Sequence, residues 1–166
     1  MASDVVIRPA GDRDLPALGR LGALLVEAHL GFDRARFMDP GGDVADGYGW
    51  FLGTQLAEPD VAVFVAERAG EVIGYAYVGL EPLSWKELRE PAGFIHDVVV
   101  DPTVQGGGVG AKLIEAAIAW LEERGAPRVM LWTAERNEGA QRLFARLGFR
   151  RTMIEMTRER GGGPVP

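Results

Sequence analysis

Cysteine is absent from the 166 residues, and with it go disulfide frameworks, thiolate zinc sites and any cysteine nucleophile. Histidine is scarce. His29 and His96 are the two imidazoles; no spacing links them as metal ligands, so no metal site is expected. Apolar runs fall short of the roughly 18 residues that a membrane span needs, and Met1 to Pro16 has neither the basic start nor the apolar stretch of a secretory signal. The expectation is a cytoplasmic protein with no membrane partner. A basic surplus is lacking too: 18 Lys and Arg against 24 Asp and Glu give a net charge of −6. That balance works against nucleic acid as a partner, because phosphate backbones are met by clustered cations. An acidic field favours cationic substrates such as amines, although solubility alone accounts for such acidity in many enzymes.

What is present suits one globular domain, since 47% of the residues are hydrophobic and a chain of this length buries a sizeable core. Residues 1–158 read as that domain. Residues 159–166, containing Gly161-Gly162-Gly163-Pro164, read as a disordered tail. Val5 to Arg8 is a short β-rich run closed by Pro9, and Leu15, Leu18, Leu21 and Leu25 recur at helical spacing up to about His29. A Gly- and Asp-rich stretch from Gly31 to Gly47 reads as a loop, followed by a helix over 48–57. Val61 to Glu67, Val72 to Val78 and Phe94 to Val100 read as an antiparallel meander, the first two joined by a turn at Ala69-Gly70. Beyond it, Leu113, Ile114, Ala117, Ile118 and Leu121 predict a helix, Val129 to Trp132 a strand and Asn137 to Leu147 a helix. Phe149 to Met156 is expected to begin a last strand. This order predicts an α/β fold with a mixed sheet.

The chemistry-bearing feature lies between the third meander strand and the following helix. Val98-Val99-Val100 runs into Gln105-Gly106-Gly107-Gly108-Val109-Gly110 and then directly into a helix whose N-terminal N–H groups and dipole suit a phosphate or pyrophosphate. Glycine lets the anion reach the backbone. Gly110 is followed by Ala111-Lys112-Leu113, so the hydroxyl of a nucleoside triphosphate loop is missing. Gly106, Gly108 and Ala111 do fit a dinucleotide fingerprint, which would make the chain an NAD-dependent oxidoreductase. Against that stands the antiparallel meander before the loop.

Gln105, Gly108 and Gly110 fill the fixed places of the Gln/Arg-x-x-Gly-x-Gly/Ala loop of the GNAT superfamily of acetyl-CoA-dependent N-acyltransferases, which this region resembles. Asn137-Glu138-Gly139-Ala140-Gln141-Arg142-Leu143-Phe144-Ala145-Arg146-Leu147-Gly148-Phe149 is similar to that family's Asn-x-x-Ala-x-x-Leu-Tyr-x-x-x-Gly-Phe helix. The resemblance covers residues 94 to 150. It implies a mostly antiparallel mixed sheet with flanking helices and a splayed parallel strand pair that opens a cleft for CoA. It also implies acetyl-CoA as donor, an amine of a small molecule or peptide as acceptor, and homodimers as a common assembly. Carried over residue by residue, the main chain of Val98 and Val100 pairs with the pantetheine arm, and an N–H near Val98 or Val99 serves the oxyanion. Gly106, Gly107, Gly108, Val109, Gly110 and Ala111 cradle the pyrophosphate, while Asn137 and Phe144 lie near the thioester.

His96 is the candidate base, on a strand where simple alternation puts it beside Phe94, Val98 and Val100 and opposite Ile95, Asp97 and Val99. Its place resembles that of a Glu or His facing the acceptor in several family members, and the alternative is a histidine packed in the sheet. Phe144 departs from the family, many of whose members carry tyrosine there as proposed acid for the leaving sulfur. Either the thiolate leaves unaided or Tyr48, Tyr75 or Tyr77 takes over. The same departure leaves open a non-catalytic acyl-CoA sensor on this fold. Asp33, Asp39, Asp43, Asp46, Glu81, Glu87 and Glu90, with Trp85, are candidates to receive a cationic acceptor, or are solvated loop charges.

Overall fold

Alternation of apolar side chains in the central strands builds a sheet that is covered on both faces. The fold is a computed structural model in which residues 4–104 and 106–163 are described; Gln105 and the last three residues of the expected tail lie outside them. Strand β1 (Val6–Pro9) and a single 3-10 turn (Asp12–Asp14) lead into α1 (Leu15–Phe32) and α2 (Val44–Gln55). The meander follows as β2 (Val61–Arg68), β3 (Glu71–Glu81) and β4 (Ala92–Val100). Helix α3 (Val109–Glu123), strand β5 (Val129–Leu131) and α4 (Glu138–Arg146) complete the regular structure.

The five strands lie in the order β1-β2-β3-β4-β5. The first three pairings are antiparallel and β4/β5 is parallel, so the expected mixed, mostly antiparallel sheet is present. Phe64, Ala66, Ile73, Ala76, Val78 and Ile95 face α3, where Leu113, Ile114, Ala117 and Leu121 meet them. Val63, Val65, Val72, Tyr75 and Val99 face the other way, onto Leu18 and Leu21 of α1 and Leu52 of α2.

The β4/β5 ladder holds only from Gly93↔Val129 to Ile95↔Leu131, although β4 runs on to Val100. Beyond Ile95 that edge of β4 is free of β5, and the pair opens as expected. Helix α2 starts four residues before the expected Tyr48, because Asp43 caps it: its Oδ1 accepts the N–H of Asp46 at 3.0 Å and satisfies an otherwise orphaned donor.

The expected last strand is not formed. After Gly148, at φ +93°, the chain from Arg150 to Glu159 is exposed and unpaired, Met153, Ile154 and Met156 included. Charges fall on both parities of this segment, with Arg150 on one and Arg151 and Glu155 on the other, so a strand here would have no apolar face to bury. Glu155 instead pairs with Arg36. Within the expected tail, residues 159–162 form a turn in which Gly162 N–H donates to the Glu159 carbonyl at 2.9 Å.

Candidate active site

The glycine loop folds as a run of left-handed residues. Gly106, Gly107 and Gly108 have φ of +76°, +78° and +63°, a region that other residues enter only with strain. Nothing lies within 4 Å of the Cβ each one lacks, so the three glycines border open space. Gly108 is the N-cap of α3, and the first helical bond is Lys112 N–H to the Gly108 carbonyl at 3.0 Å. The N–H groups of Val109, Gly110 and Ala111 therefore lack intrahelical acceptors. Val109 is buried and roots this end of α3 in the core.

Val100, Gly106, Gly108, Val109, Gly110 and Ala111 line a groove of about 440 Å³, closed on its far side by Leu143, Arg146 and Leu147 of the α4 region. Arg146 is the groove's own cation, a residue that sequence reading missed. It had a signal: in the α4 motif it stands one turn beyond Arg142, on the face of Leu143. Free N–H groups at a helix N-terminus, space where Cβ atoms are lacking and an arginine fit a pyrophosphate-bearing group such as that of CoA.

The edge of β4 adds to the groove. Asp101 N–H donates to the Ile73 carbonyl at 2.8 Å, which makes Asp101/Ile73 a hydrogen-bonded pair. By alternation along an antiparallel ladder, Val99 bonds Tyr75, and Val98 and Val100 turn their N–H and C=O groups toward the open side. The main-chain groups of Val98 and Val100 thus face the cleft, whereas those of Val99 face β3 and its side chain packs on α1 and α2.

Two of the candidate residues sit away from the groove lining. Asn137 caps α4, its Oδ1 accepting Ala140 N–H at 3.2 Å. Phe144 packs edge-on against Phe149, with ring centres 5.9 Å apart, beside the core under α3.

A register shift in the β3/β4 ladder decides where His96 points. Tyr77 pairs with Asp97 and Val78 with Ile95, so His96 is the extra residue of a β-bulge. Simple alternation fails there. His96 shares a face with Phe94, as expected, but not with Val98 and Val100, which pack toward α3; Asp97 and Val99, expected opposite, lie on its own side. The imidazole stacks on Phe94 (5.8 Å between centres) and lies against Tyr77 (4.8 Å), and its Nε2 is 3.3 Å from Glu81 Oε1. Trp132 meets the edge of Phe94 at 6.0 Å. This aromatic corner stands where β4 and β5 part, and the His96 side chain is 30% exposed to solvent there.

The tyrosines weighed as proton donors are engaged. Tyr48 Oη donates to Asp97 Oδ2 at 2.5 Å and Tyr75 Oη to the same oxygen at 3.1 Å. Tyr77 Oη donates to Gln55 Oε1 at 2.9 Å. Burial, then the charge of Asp97, pushes all three phenols above their ordinary range, which makes each a weaker acid. Burial also pushes the Asp97 carboxyl upward, against the two phenol bonds.

Most of the loop carboxylates serve local structure. Asp33 accepts N–H bonds from Ala35 and Arg36, Asp43 caps α2, Glu87 pairs with Arg89, and Asp39 lies 3.7 Å from Arg34. Glu81 is the one brought against His96. Trp85 is exposed on the β3–β4 connection. Among the described residues no group of three or more His, Asp or Glu could hold a metal, and no helix is long and apolar enough to cross a membrane.

A mixed sheet whose single parallel pair opens over a glycine-turned helix N-terminus defines an acyl-CoA-type transferase fold rather than the parallel, doubly wound sheet of dinucleotide enzymes. The sequence model of the acetyltransferase (GNAT) family matches residues 25–149, and the chain belongs to that family. It is 36% identical over 108 residues to a mycothiol acetyltransferase of Thermomonospora curvata, covering 63% of this chain and 34% of that one. It thus spans about a third of that relative's length. An uncharacterized N-acetyltransferase of Archaeoglobus fulgidus is 34% identical over 109 residues, 66% of this chain and 71% of its own. An aminoglycoside N-acetyltransferase solved with CoA superposes with a TM-score of 0.72 at 21% identity, over 96% of this chain and 97% of that one. That last likeness concerns the fold.

Proposed function

We propose that the chain transfers the acetyl group of acetyl-CoA to a primary amine of a small molecule or peptide by direct attack within a ternary complex. The groove carries this reading: its free N–H groups, left-handed glycines and Arg146 meet the phosphates, and the edge of β4 at Val98 and Val100 offers its unpaired amide groups to the two amides of pantetheine. By the family resemblance Asn137 and Phe144 would stand toward the thioester end, beyond the lining of the groove.

An alkylammonium cannot attack a thioester until it loses a proton, and a positioned base contributes about 10²- to 10⁴-fold. His96 takes that proton, oriented by Glu81 at 3.3 Å. The neutral nitrogen adds to the thioester carbonyl carbon, the oxyanion is met by a β4 main-chain N–H, and the C–S bond breaks. With Phe144 in the usual tyrosine place and the three tyrosines engaged, the sulfur departs as thiolate, reasonable for a thiol of ordinary pKa about 8.5. The nitrogen's second proton neutralises that thiolate, so the balance is amide, CoA thiol and one released proton.

The test is CoA release by the purified protein with acetyl-CoA and a panel of primary amines, beside thermal-shift binding of acetyl-CoA, longer acyl-CoAs and NAD. Stabilisation by acetyl-CoA with turnover of an amine is expected. Binding without turnover of any amine makes the protein an acyl-CoA sensor, the reading that Phe144 favours. For His96→Ala a fall in kcat of about 10²-fold is expected with donor affinity kept.

A further inference from the structure

Asp97 is a half-buried carboxylate that no arginine or lysine reaches among the described residues. Asp14, which is buried, is held by the fork of Arg8, and Asp101 by Arg20. Asp97 has phenols instead: Tyr48 from α2 and Tyr75 from β3 both donate to Oδ2. Burying a carboxylate without a cation is costly, and a structural role would be served as well by a neutral acceptor. The geometry is also lopsided. Oδ2 carries two hydrogen bonds, whereas Oδ1 carries none among the described residues, and no side-chain oxygen there is both sealed from solvent and unpartnered. One oxygen of Asp97 is locked by two phenols, and the other keeps its hydrogen-bonding capacity and some contact with solvent.

Asp97 lies where β4 and β5 part. Asp97 is two residues beyond Ile95, the last β4 residue paired with β5. The bulge at His96 puts both side chains on the α1/α2 face, with Tyr77 and Phe94 forming the aromatic wall against the imidazole. A cation arriving there meets a fixed anion, a stacked imidazole and aromatic faces, which is the environment an alkylammonium group prefers.

We infer that Asp97 Oδ1 is the anchor of the acceptor's ammonium group, so that the site selects cationic primary amines over neutral nucleophiles of the same shape. This rests on the acetyl-transfer reading above and divides its labour. Asp97 binds and positions the charged nitrogen, with Tyr48 and Tyr75 fixing the carboxylate, and His96 takes the proton. Asp97 is an affinity and selectivity residue, and His96 acts on the rate.

The test uses Asp97→Asn, which keeps an oxygen for the two phenols and removes the charge. With the best amine of the panel, the KM of the amine should rise about 30-fold, while kcat stays within a few-fold and acetyl-CoA binding and the melting temperature are kept. His96→Ala should give the opposite split. Calorimetry of n-butylammonium chloride binding to the acetyl-CoA-loaded protein reads the same site without turnover: wild type binds and Asp97→Asn does not. An amine KM unchanged by Asp97→Asn, equal n-butylammonium binding by both proteins, or a loss of acetyl-CoA affinity as large as the loss for the amine would each overturn the assignment. Absence of turnover with every amine would count against the transferase reading alone, since the n-butylammonium comparison still decides the role of Asp97.

Discussion

The ring of Tyr48 occupies the space that a side chain at Gly22 would need: a Cβ there would lie 2.2 Å from Tyr48 Cδ1. Helices α1 and α2 approach this closely at Gly19 too, where a Cβ would meet the Ala45 carbonyl oxygen at 2.2 Å. The crossing sets the phenol of Tyr48 on Asp97. Gly22→Ala should therefore displace the ring, costing about 1 to 3 kcal/mol in urea denaturation, as overpacking does, and weakening acceptor affinity with acetyl-CoA affinity kept. Gly31→Ala, at a helical glycine with nothing within 4 Å of the missing Cβ, should be neutral or stabilise by up to about 1 kcal/mol. Equal effects of the two would refute the close-packing account.

Arg146 stands at the rim of the groove beside the glycine loop. Losing one charge-assisted contact to a phosphate costs about 1.5 kcal/mol or more, so Arg146→Ala should raise the KM of acetyl-CoA about tenfold or more and leave kcat nearly unchanged. Arg142→Ala, which removes an exposed partner of Glu138, is the control and should leave both constants as they are.

Asp101 holds the entry to the glycine loop. Its Oδ1 accepts the Thr103 hydroxyl at 2.7 Å and the Thr103 N–H at 3.0 Å, and its Oδ2 accepts from Arg20 at 2.6 Å. These donors, the Thr103 hydroxyl first, bring its pKa from 3.8 down to about 2. A carboxyl lowered in the folded state contributes stability that is complete above its unfolded pKa and is lost as pH falls through the folded one. Stability curves of wild type and Asp101→Asn should therefore differ above about pH 4 and converge toward pH 2. Parallel curves down to pH 2 would remove Asp101 from the account of acid stability.

Arg8 reaches Asp14 with both terminal nitrogens, at 2.8 and 2.9 Å, and Glu67 with Nε at 2.8 Å. Asp14 is only 4% exposed, and the arginine holds its carboxyl below the ordinary range. Removing Arg8 strands a buried charge. Arg8→Ala should cost about 2 to 4 kcal/mol, and Arg8→Ala/Asp14→Ala should recover part of that loss. A double variant as unstable as the sum of the singles would show that the two side chains act independently.

The groove was legible in the sequence because its parts are local: left-handed glycines, a helix cap and an apolar stripe are written in adjacent residues. The meander and its turn at Ala69-Gly70 were legible for the same reason. The direction of His96 was not, since a bulge is a property of a strand and its partner, and nothing in Phe94 to Val100 alone says that Tyr77 and Val78 skip a residue. Asp97 was missed on that account, placed opposite His96 by an alternation that the pairing breaks. Helix α2 had a readable start in Asp43 and Asp46, hidden among the other acids of its loop. The last strand was overread, because Met153, Ile154 and Met156 suggest burial while Arg150, Arg151 and Glu155 deny any one face to it.

The sheet that separates the two hydrophobic clusters is also a partition between two kinds of variation. Glycine loop, α3 and α4 lie on one side, and Tyr48, Asp97, His96 and Glu81 on the other. On β4, Val98 and Val100 pack toward α3 while Val99 packs toward α1 and α2, so one strand serves both sides. If the proposed reaction holds, substitutions on the α1/α2 side should change the acceptor without retuning the grip on the acyl carrier, so that one donor device serves many acceptors by exchange of one wall.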